Sequence, residues 1–265
     1  MYLFKRDLWL LLIIFVSSPI YAGSFKVFPL KLELDQNTKT TLFKITNTGN
    51  NQVTVQLEVV KWFQNEKGED RYEPTRDIVY FPKIVKVDAG QQRIIRLGYR
   101  GKKNVIKEKT YRIFAQELPE LGEQKSALKF SLRFSVPIFV DVADNIPQSP
   151  IARLQGVSLL NGKLQVQVKN DGDKHLVVKS VNVSGVRYDG QQLFEAKSGG
   201  WYVLPEVTKP FLVNMPENEC RQSEELNLKI ETTAGSLKDM LSVDKSQCVA
   251  ITEMENRPST LSFSQ

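Results

Sequence analysis

Few residues of this chain could carry out chemistry. His175 is the only histidine, and Cys220 and Cys248 are the only cysteines. A nucleophile needs a general base beside it, and neither a Ser-His-Asp nor a Cys-His arrangement has its parts here in a plausible order. The 30 acidic residues guarantee chance carboxylate pairs, which leaves a glycosidase as a weak alternative. We therefore expect a binding protein rather than an enzyme, with no cofactor and no metal.

The N-terminus has the parts of a secretory signal peptide. Lys5 and Arg6 precede an apolar run from Leu8 to Val16, and small residues lead to Ala22. A transmembrane anchor is the alternative, but the run is too short to span a bilayer and no later run qualifies. We predict a signal peptide at residues 1–22, export, and a mature chain that does not insert into a membrane.

The two cysteines are expected to form a disulfide. An exported chain meets an oxidising environment, so Cys220 and Cys248 form the natural pair. A metal site is the alternative, but no histidine lies nearby and the cysteine spacing is not short. Closing this loop would stabilise the fold by roughly 3.5 kcal/mol in the chain-entropy account.

The net charge of +6 raises the question of nucleic acid. Acidic and basic residues are interspersed over most of the chain, and export removes the usual nucleic-acid partners, so we expect no nucleic-acid binding. One basic stretch, GYRGKKNVIKEK (98–109), stands out. It is typical of a solvated loop, with a docking surface for a membrane-embedded partner as the alternative.

The hydrophobic pattern predicts β-strands throughout. Alternating or branched segments, separated by turn residues, favour antiparallel sandwiches over a parallel sheet with crossover helices. They are residues 41–47, 52–63, 84–88, 93–99, 110–118, 163–170, 175–186 and 226–233.

A weak internal repeat indicates two domains. Residues 43–60 and 166–183 share a strand, an Asn-X-Gly turn and a second strand, with Asn47 and Asn170 in corresponding places. The proline-containing stretch 143–150 suits a joint between them. We predict domains at residues 23–145 and 146–252, followed by a tail at 253–265.

The segment LKFSLRFSVPIFV (128–140) is unusually long for a strand. Its thirteen residues would extend about 43 Å. Apolar side chains alternate with polar ones along it, at Leu128, Phe130, Leu132 and Phe134. Such a row fills the core of any half-buried strand, but the length predicts that part of it pairs with another protein.

Four motifs carry a resemblance to a known family. They are ITNTGN (45–50), IVYFPKIVKVDAGQQRIIRLGYR (78–100), KTYRIFAQELPE (109–120) and RFSVPIFV (133–140). Together they resemble the periplasmic chaperones of the chaperone–usher pathway of pilus and fimbria assembly, over nearly all of the mature sequence. The chain departs at Ala89, where proline is usual. Val140, Asp141 and Val142 replace the arginine and proline that often close the long strand, which argues against the family's interdomain ion pair through Glu108.

The resemblance implies an all-β protein of two immunoglobulin-like sandwiches in a boomerang arrangement. Such a periplasmic chaperone lends a strand to an incomplete pilin, through β-augmentation, and delivers it to an outer-membrane usher. Leu128, Phe130, Leu132 and Phe134 are then the donor residues. A free chaperone could also hide this strand in a self-capping oligomer.

The resemblance also implies that two basic residues hold the pilin's terminal carboxylate. The family's first-strand position falls on Lys31 and its long-strand position on Arg133. Two cations around one carboxylate would fix the register of the added strand. A different class of protein, a secreted adhesive or carbohydrate-binding sandwich, would instead need an aromatic platform, for which Trp62 and Trp201 are the candidates if they are not packed inside.

Overall fold

The computed structural model describes residues 25–35, 37–102, 107–118, 131–141 and 149–249. The predicted signal peptide, the predicted tail, Leu128 and Phe130 lie outside these ranges. Among the described residues no helix is long and apolar enough to cross a membrane.

Strands dominate both halves of the chain. Those of the first half are Phe25–Phe28 (β1), Leu32–Leu34 (β2), Thr40–Asn47 (β3), Val53–Gln64 (β4), Asp70–Pro74 (β5), Ile78–Phe81 (β6), Ile84–Val87 (β7), Gln92–Tyr99 (β8), Lys109–Leu118 (β9) and Arg133–Val140 (β10). The second half has Ala152–Leu160 (β11), Lys163–Asn170 (β12), Leu176–Val186 (β13), Gln192–Gly199 (β14), Tyr202–Val203 (β15), Thr208–Asn214 (β16), Glu225–Thr232 (β17) and Gly235–Ser242 (β18). A short helix, Glu217–Gln222 (α1), and a 3-10 turn, Lys245–Cys248, complete it. The eight segments predicted from alternation coincide with strands to within one residue at each end.

The strands form two sandwiches, which confirms the predicted all-β, two-domain fold. In the first domain the sheet β1-β3-β8-β6 faces the sheet β2-β10-β9-β4-β5, to which β7 adds through β4. In the second domain β11-β12-β16 faces β14-β13-β17-β18, with β15 on β13. Each domain has its own buried cluster of apolar side chains between its sheets.

The first strand region changes sheets. β1 pairs with β3 in one sheet, and β2 pairs in parallel with β10 in the other. Pro29 lies between them and has no N–H to continue the first ladder. As a result, β2 covers only the last part of β10.

The buried face of β4 changes along its length. Val53, Val55 and Leu57 point into the first domain's core, as the two-residue period requires. Trp62 and Gln64 are buried on the opposite face, where the second domain covers the sheet. This long strand therefore serves both the core and the interdomain contact.

The internal repeat is structural. The Nδ2 of Asn47 donates to the carbonyls of Asn51 and Val87, and its Oδ1 accepts from the Gly49 N–H. Asn170 makes the same three bonds, to the carbonyls of Lys174 and Val203 and from the Gly172 N–H. Both asparagines are buried, so each domain uses one amide to tie the turn that connects its two sheets to a strand distant in sequence.

The predicted disulfide is confirmed. Cys220 on α1 and Cys248 in the 3-10 turn are bonded, with a Cα–Cα distance of 5.8 Å, and both are fully buried. The bond joins the 3-10 turn that follows β18 to the short helix, and both cysteines belong to the second domain's buried apolar cluster.

The domains contact each other through apolar and polar groups. Trp62, Phe139 and Leu204 form a buried cluster across the joint. The Gln64 side chain donates to the Tyr202 carbonyl at 3.0 Å and accepts from the Leu204 N–H at 2.9 Å. Residues far apart in sequence thus share one interface.

Glu108 contacts the second domain, although the sequence argued against an interdomain ion pair through this residue. Its carboxylate accepts from the His175 backbone N–H at 2.8 Å and lies 2.9 Å from the His175 Nδ1. The imidazole ring stacks on Phe139 with a centroid distance of 3.6 Å. The only histidine therefore has an interdomain packing role, where the family pattern would place a basic residue from the long strand.

Candidate functional site

The outer edge of β10 is open along its first half. β9 pairs with β10 over the whole range Arg133–Val140, whereas β2 pairs only with Ile138–Val140. Nothing in the described part of the chain pairs with the other side of residues 133–137. These five residues form an exposed strand edge, which we call the open edge.

The open edge presents main-chain hydrogen-bonding groups. The Glu117 N–H donates to the Leu132 carbonyl, and the Asp141 N–H donates to the Leu34 carbonyl on the other side. Because these directions alternate along a strand, the N–H and C=O groups of Arg133 and Ser135 face outward. Pro137 has no N–H, and its carbonyl lies where the ladder to β2 begins, so it closes this edge. A partner strand could pair with these groups.

The predicted donor side chains are only partly available. Leu132 and Phe134 are half-buried and pack against the first domain's core. The ring of Phe134 meets Phe25 of β1 edge-on, with a centroid distance of 5.1 Å. Of the predicted thirteen residues the structure describes 131–140, and the strand within them, Arg133–Val140, is eight residues long.

The predicted basic pair is not brought together. Leu32 pairs with Ile138, so Lys31 is level with Pro137, four positions beyond Arg133. At about 3.3 Å per residue this is about 13 Å along the strand. Lys31 and Arg133 therefore stand at opposite ends of the open edge, and this register does not support the prediction that they hold one carboxylate jointly.

Both cations are exposed and have acidic neighbours. The Lys31 Nζ lies 2.6 Å from Glu33, and the Arg133 Nη2 lies 4.0 Å from Glu58. The Arg133 guanidinium also lies over the Phe114 ring, 4.0 Å from its centroid. Exposed ion pairs of this kind are weak, so both side chains are able to exchange partners.

Sequence reasoning missed Arg112. This residue of β9 pairs with Pro137 of β10 and is 2% exposed. Its Nη1 donates to the Ser135 Oγ, but its Nε and Nη2 have no hydrogen-bond partner. The alternation in TYRIFAQEL could have placed it opposite the buried Tyr111 and Ile113. The alternation could not predict that Arg112 is buried, because the second domain covers that face and the pattern of one strand carries no information about it.

Two tryptophans flank Arg112. Its guanidinium carbon lies 4.0 Å from the Trp62 ring centroid and 5.1 Å from that of Trp201. Burial lowers the pKa of Arg112, and the nearby Tyr72 and Asp70 oppose this shift. Trp62 is buried and Trp201 is packed against a cation, so the two do not form the flat aromatic platform expected of a carbohydrate-binding protein.

A family match decides the identity of the first domain. Residues 24–141 match the family described as pili and flagellar-assembly chaperone, PapD N-terminal domain. The first domain belongs to this chaperone family. No curated protein sequence matches the chain significantly.

Solved chaperone structures share the fold of both domains. The complex of the CsuC chaperone with the CsuE tip subunit, from Acinetobacter baumannii, matches with 22% identity, 83% of this chain, 97% of that chain and a TM-score of 0.58. The Salmonella enterica SafA pilin in complex with the SafB chaperone matches with 16% identity, 84% and 97% coverage, and a TM-score of 0.50. The Pseudomonas aeruginosa CupB2 chaperone matches with 13% identity, 82% and 100% coverage, and a TM-score of 0.50. At these identities the likeness shows an immunoglobulin-like chaperone fold.

The structure offers no competing chemical site among the residues it describes. No group of His, Cys, Asp and Glu side chains in those ranges could hold a metal ion. The His175 side chain contacts the Glu108 carboxylate and stacks on the Phe139 ring. The features of the described residues that bear on binding are the open edge and the interdomain surface.

Proposed function

We propose that this pilus chaperone binds, folds and caps pilin subunits in the periplasm by donating β10, and delivers them to an outer-membrane usher. The observation that carries the proposal is the open edge, in a domain that belongs to the chaperone family. Main-chain groups on this edge can hydrogen-bond an incomplete subunit. The chain then acts by binding alone, without catalysis.

Side chains on the same strand supply apolar contact. Leu132 and Phe134 are half-buried, so completing their burial would add about 1.5–3 kcal/mol in total. Leu128 and Phe130, which precede the described strand, are proposed to extend the donated row. The main-chain ladder must therefore provide a large share of the affinity.

The exposed cations Lys31 and Arg133 lie at the two ends of the open edge. We assign Arg133 and Lys31 to the two ends of the open edge, where each can contact acidic groups of the subunit. Because the two stand about 13 Å apart, they act at separate points.

The test is co-expression with β-sandwich subunits encoded next to this chain and next to an usher. We expect the subunit to co-purify with the chaperone and to be degraded in its absence. Subunit that accumulates equally well without the chaperone would contradict the proposal. Size-exclusion chromatography of the chaperone alone tests whether the open edge is capped by a second copy.

A further inference from the structure

The hairpin of β4 and β5 extends from the first domain along the second. Trp62 belongs to the buried interdomain cluster, and Gly68 lies at the tip of the hairpin, about 20 Å further along the chain at the usual strand rise. Over this length the hairpin contacts one segment of the second domain, residues 201–210. The contact between the domains therefore reaches well beyond the cluster at the joint.

The tip of the hairpin fits closely against the start of β16. Gly68 has a φ of +71°, and a Cβ atom built on it would lie 2.8 Å from both the Lys209 Cα and the Thr208 carbonyl oxygen. The Lys209 Nζ donates to the Gly68 carbonyl at 2.5 Å. Both the backbone conformation and the main chain of the second domain therefore require glycine at this position.

Both sides of this contact are held in place by their own domain. In the hairpin tip, the Asn65 Oδ1 accepts from the N–H groups of Lys67 and Glu69. In the segment 201–210, the Val203 carbonyl accepts from the Asn170 Nδ2. A change on one side of the contact must therefore move the other side.

The middle of the hairpin provides a second attachment. Gln64 and Asp70 are directly opposite on the two strands and are joined by a hydrogen bond of 2.9 Å. Gln64 bonds the main chain of Tyr202 and Leu204, and the Asp70 Oδ2 accepts from the Trp201 Nε1 at 2.9 Å. Attachments that are separated along one element resist a tilt of the second domain, which a single attachment would allow.

The second domain also lies next to the open edge. The Trp201 ring centroid is 5.1 Å from the guanidinium carbon of Arg112, and the Arg112 Nη1 donates to the Ser135 Oγ on the open edge. A tilt of the second domain would move Trp201 and change the packing beside this edge.

We propose that the hairpin of β4 and β5 fixes the orientation of the second domain, and that subunit binding at the open edge depends on this orientation. The inference rests on the proposed function. It gives a positioning role to Gly68 and Lys209, neither of which belongs to the open edge.

The test compares two glycine variants of the full mature chain. Gly68→Leu places a side chain against the main chain of Lys209. Gly90→Leu is the matched control, because Gly90 also has a φ of +71° but no atom of the described residues lies within 4 Å of a Cβ built there. Both variants carry the same kind of backbone strain, and only G68L should displace the second domain.

Spin labels on Gln92→Cys in the first domain and Tyr188→Cys in the second report the distance between the domains. Both positions are exposed, and the native cysteines form a buried disulfide, so they take no label. We expect G68L to show a shifted and broader distance distribution and to co-purify several-fold less of a co-expressed subunit. G90L should match the unaltered chain in both measurements.

The two measurements fail separately. An unchanged distance distribution in folded G68L would show that the hairpin does not fix the orientation. A changed distribution with subunit recovered at the G90L level would overturn the dependence of binding on orientation. If the unaltered chain binds no subunit, the proposed function fails and that dependence with it, while the distances still decide the role of the hairpin.

If G68L does not fold, Lys209→Met decides, because it removes the hydrogen bond to Gly68 and keeps the apolar part of the side chain. It should broaden the distance distribution, whereas Lys163→Met, on the neighbouring strand β12, should not. Equal distributions in these two variants would contradict the proposal.

Discussion

Asn47 and Asn170 each connect a turn between the two sheets of a domain to a strand distant in sequence, with a single side chain. Removing either amide leaves two buried carbonyls and one N–H without their partner. We expect Asn47→Ala and Asn170→Ala each to lower the free energy of unfolding by about 2–4 kcal/mol, because unsatisfied buried groups carry a full desolvation penalty. Urea unfolding measures this.

The exposed Asn214 provides the control, since Asn214→Ala removes an amide from the surface of β16. Its effect should remain within about 0.5 kcal/mol. Losses below that level in the two buried variants would show that the repeated hydrogen bonds are not structural supports.

Lys31 and Arg133 are surface charges whose removal should separate binding from folding. We expect Lys31→Ala combined with Arg133→Ala to leave the free energy of unfolding within about 1 kcal/mol, because both ion pairs are exposed. Co-purification of a co-expressed subunit should nevertheless fall strongly, since both ends of the open edge lose their cation.

The matched control is Lys61→Ala combined with Arg71→Ala, which removes the same charge from exposed ion pairs on β4 and β5. Subunit recovered at the wild-type level from the first double variant would refute the role of Lys31 and Arg133.

At the scale of elements, β10 shows what a sequence can and cannot predict. Alternation located the strand and placed Leu132 and Phe134 on one face, which in the structure packs against the first domain's core. It could not give the register against β2, a three-residue strand whose parallel pairing depends on a change of sheet at Pro29. The register determines which basic residues lie side by side across the sheet. Lys31 is level with Pro137, whose partner on β9 is Arg112, whereas Arg133 lies four residues away along β10.

The main chain of the open edge can be tested at one position. The Arg133 N–H faces outward, so Arg133→Pro removes an edge donor while the ladder to β9 remains. Arg133→Ala removes the same side chain and keeps the donor. We expect R133P to bind subunit several-fold more weakly than R133A, with similar thermal unfolding of both. Equal binding would exclude main-chain pairing at this residue.

At the scale of the whole molecule, the interdomain contact brings residues of both domains together around Arg112. Trp201 and Tyr202 come from the second domain, while Arg112, Trp62 and Asp70 come from the first. Sequence analysis predicted two domains but not this face, because neither domain's alternation refers to the other. Trp62 and Trp201 were candidates for an aromatic platform or for packing. In the structure both lie next to the guanidinium of Arg112.

Gln64 holds this interface through two main-chain groups of the second domain. Gln64→Leu keeps much of the volume but leaves the Tyr202 carbonyl and the Leu204 N–H unsatisfied, so we expect a loss of about 2–4 kcal/mol. Because the bonds cross the joint, calorimetry should show the two domains unfolding at more widely separated temperatures. Trp201 should become more exposed, shifting its fluorescence to longer wavelength.

The control is Gln56→Leu, which changes an exposed glutamine on the same strand and should alter neither the unfolding temperatures nor the fluorescence. If Q64L unfolds and fluoresces like Q56L, the two hydrogen bonds of Gln64 do not contribute to the interdomain contact.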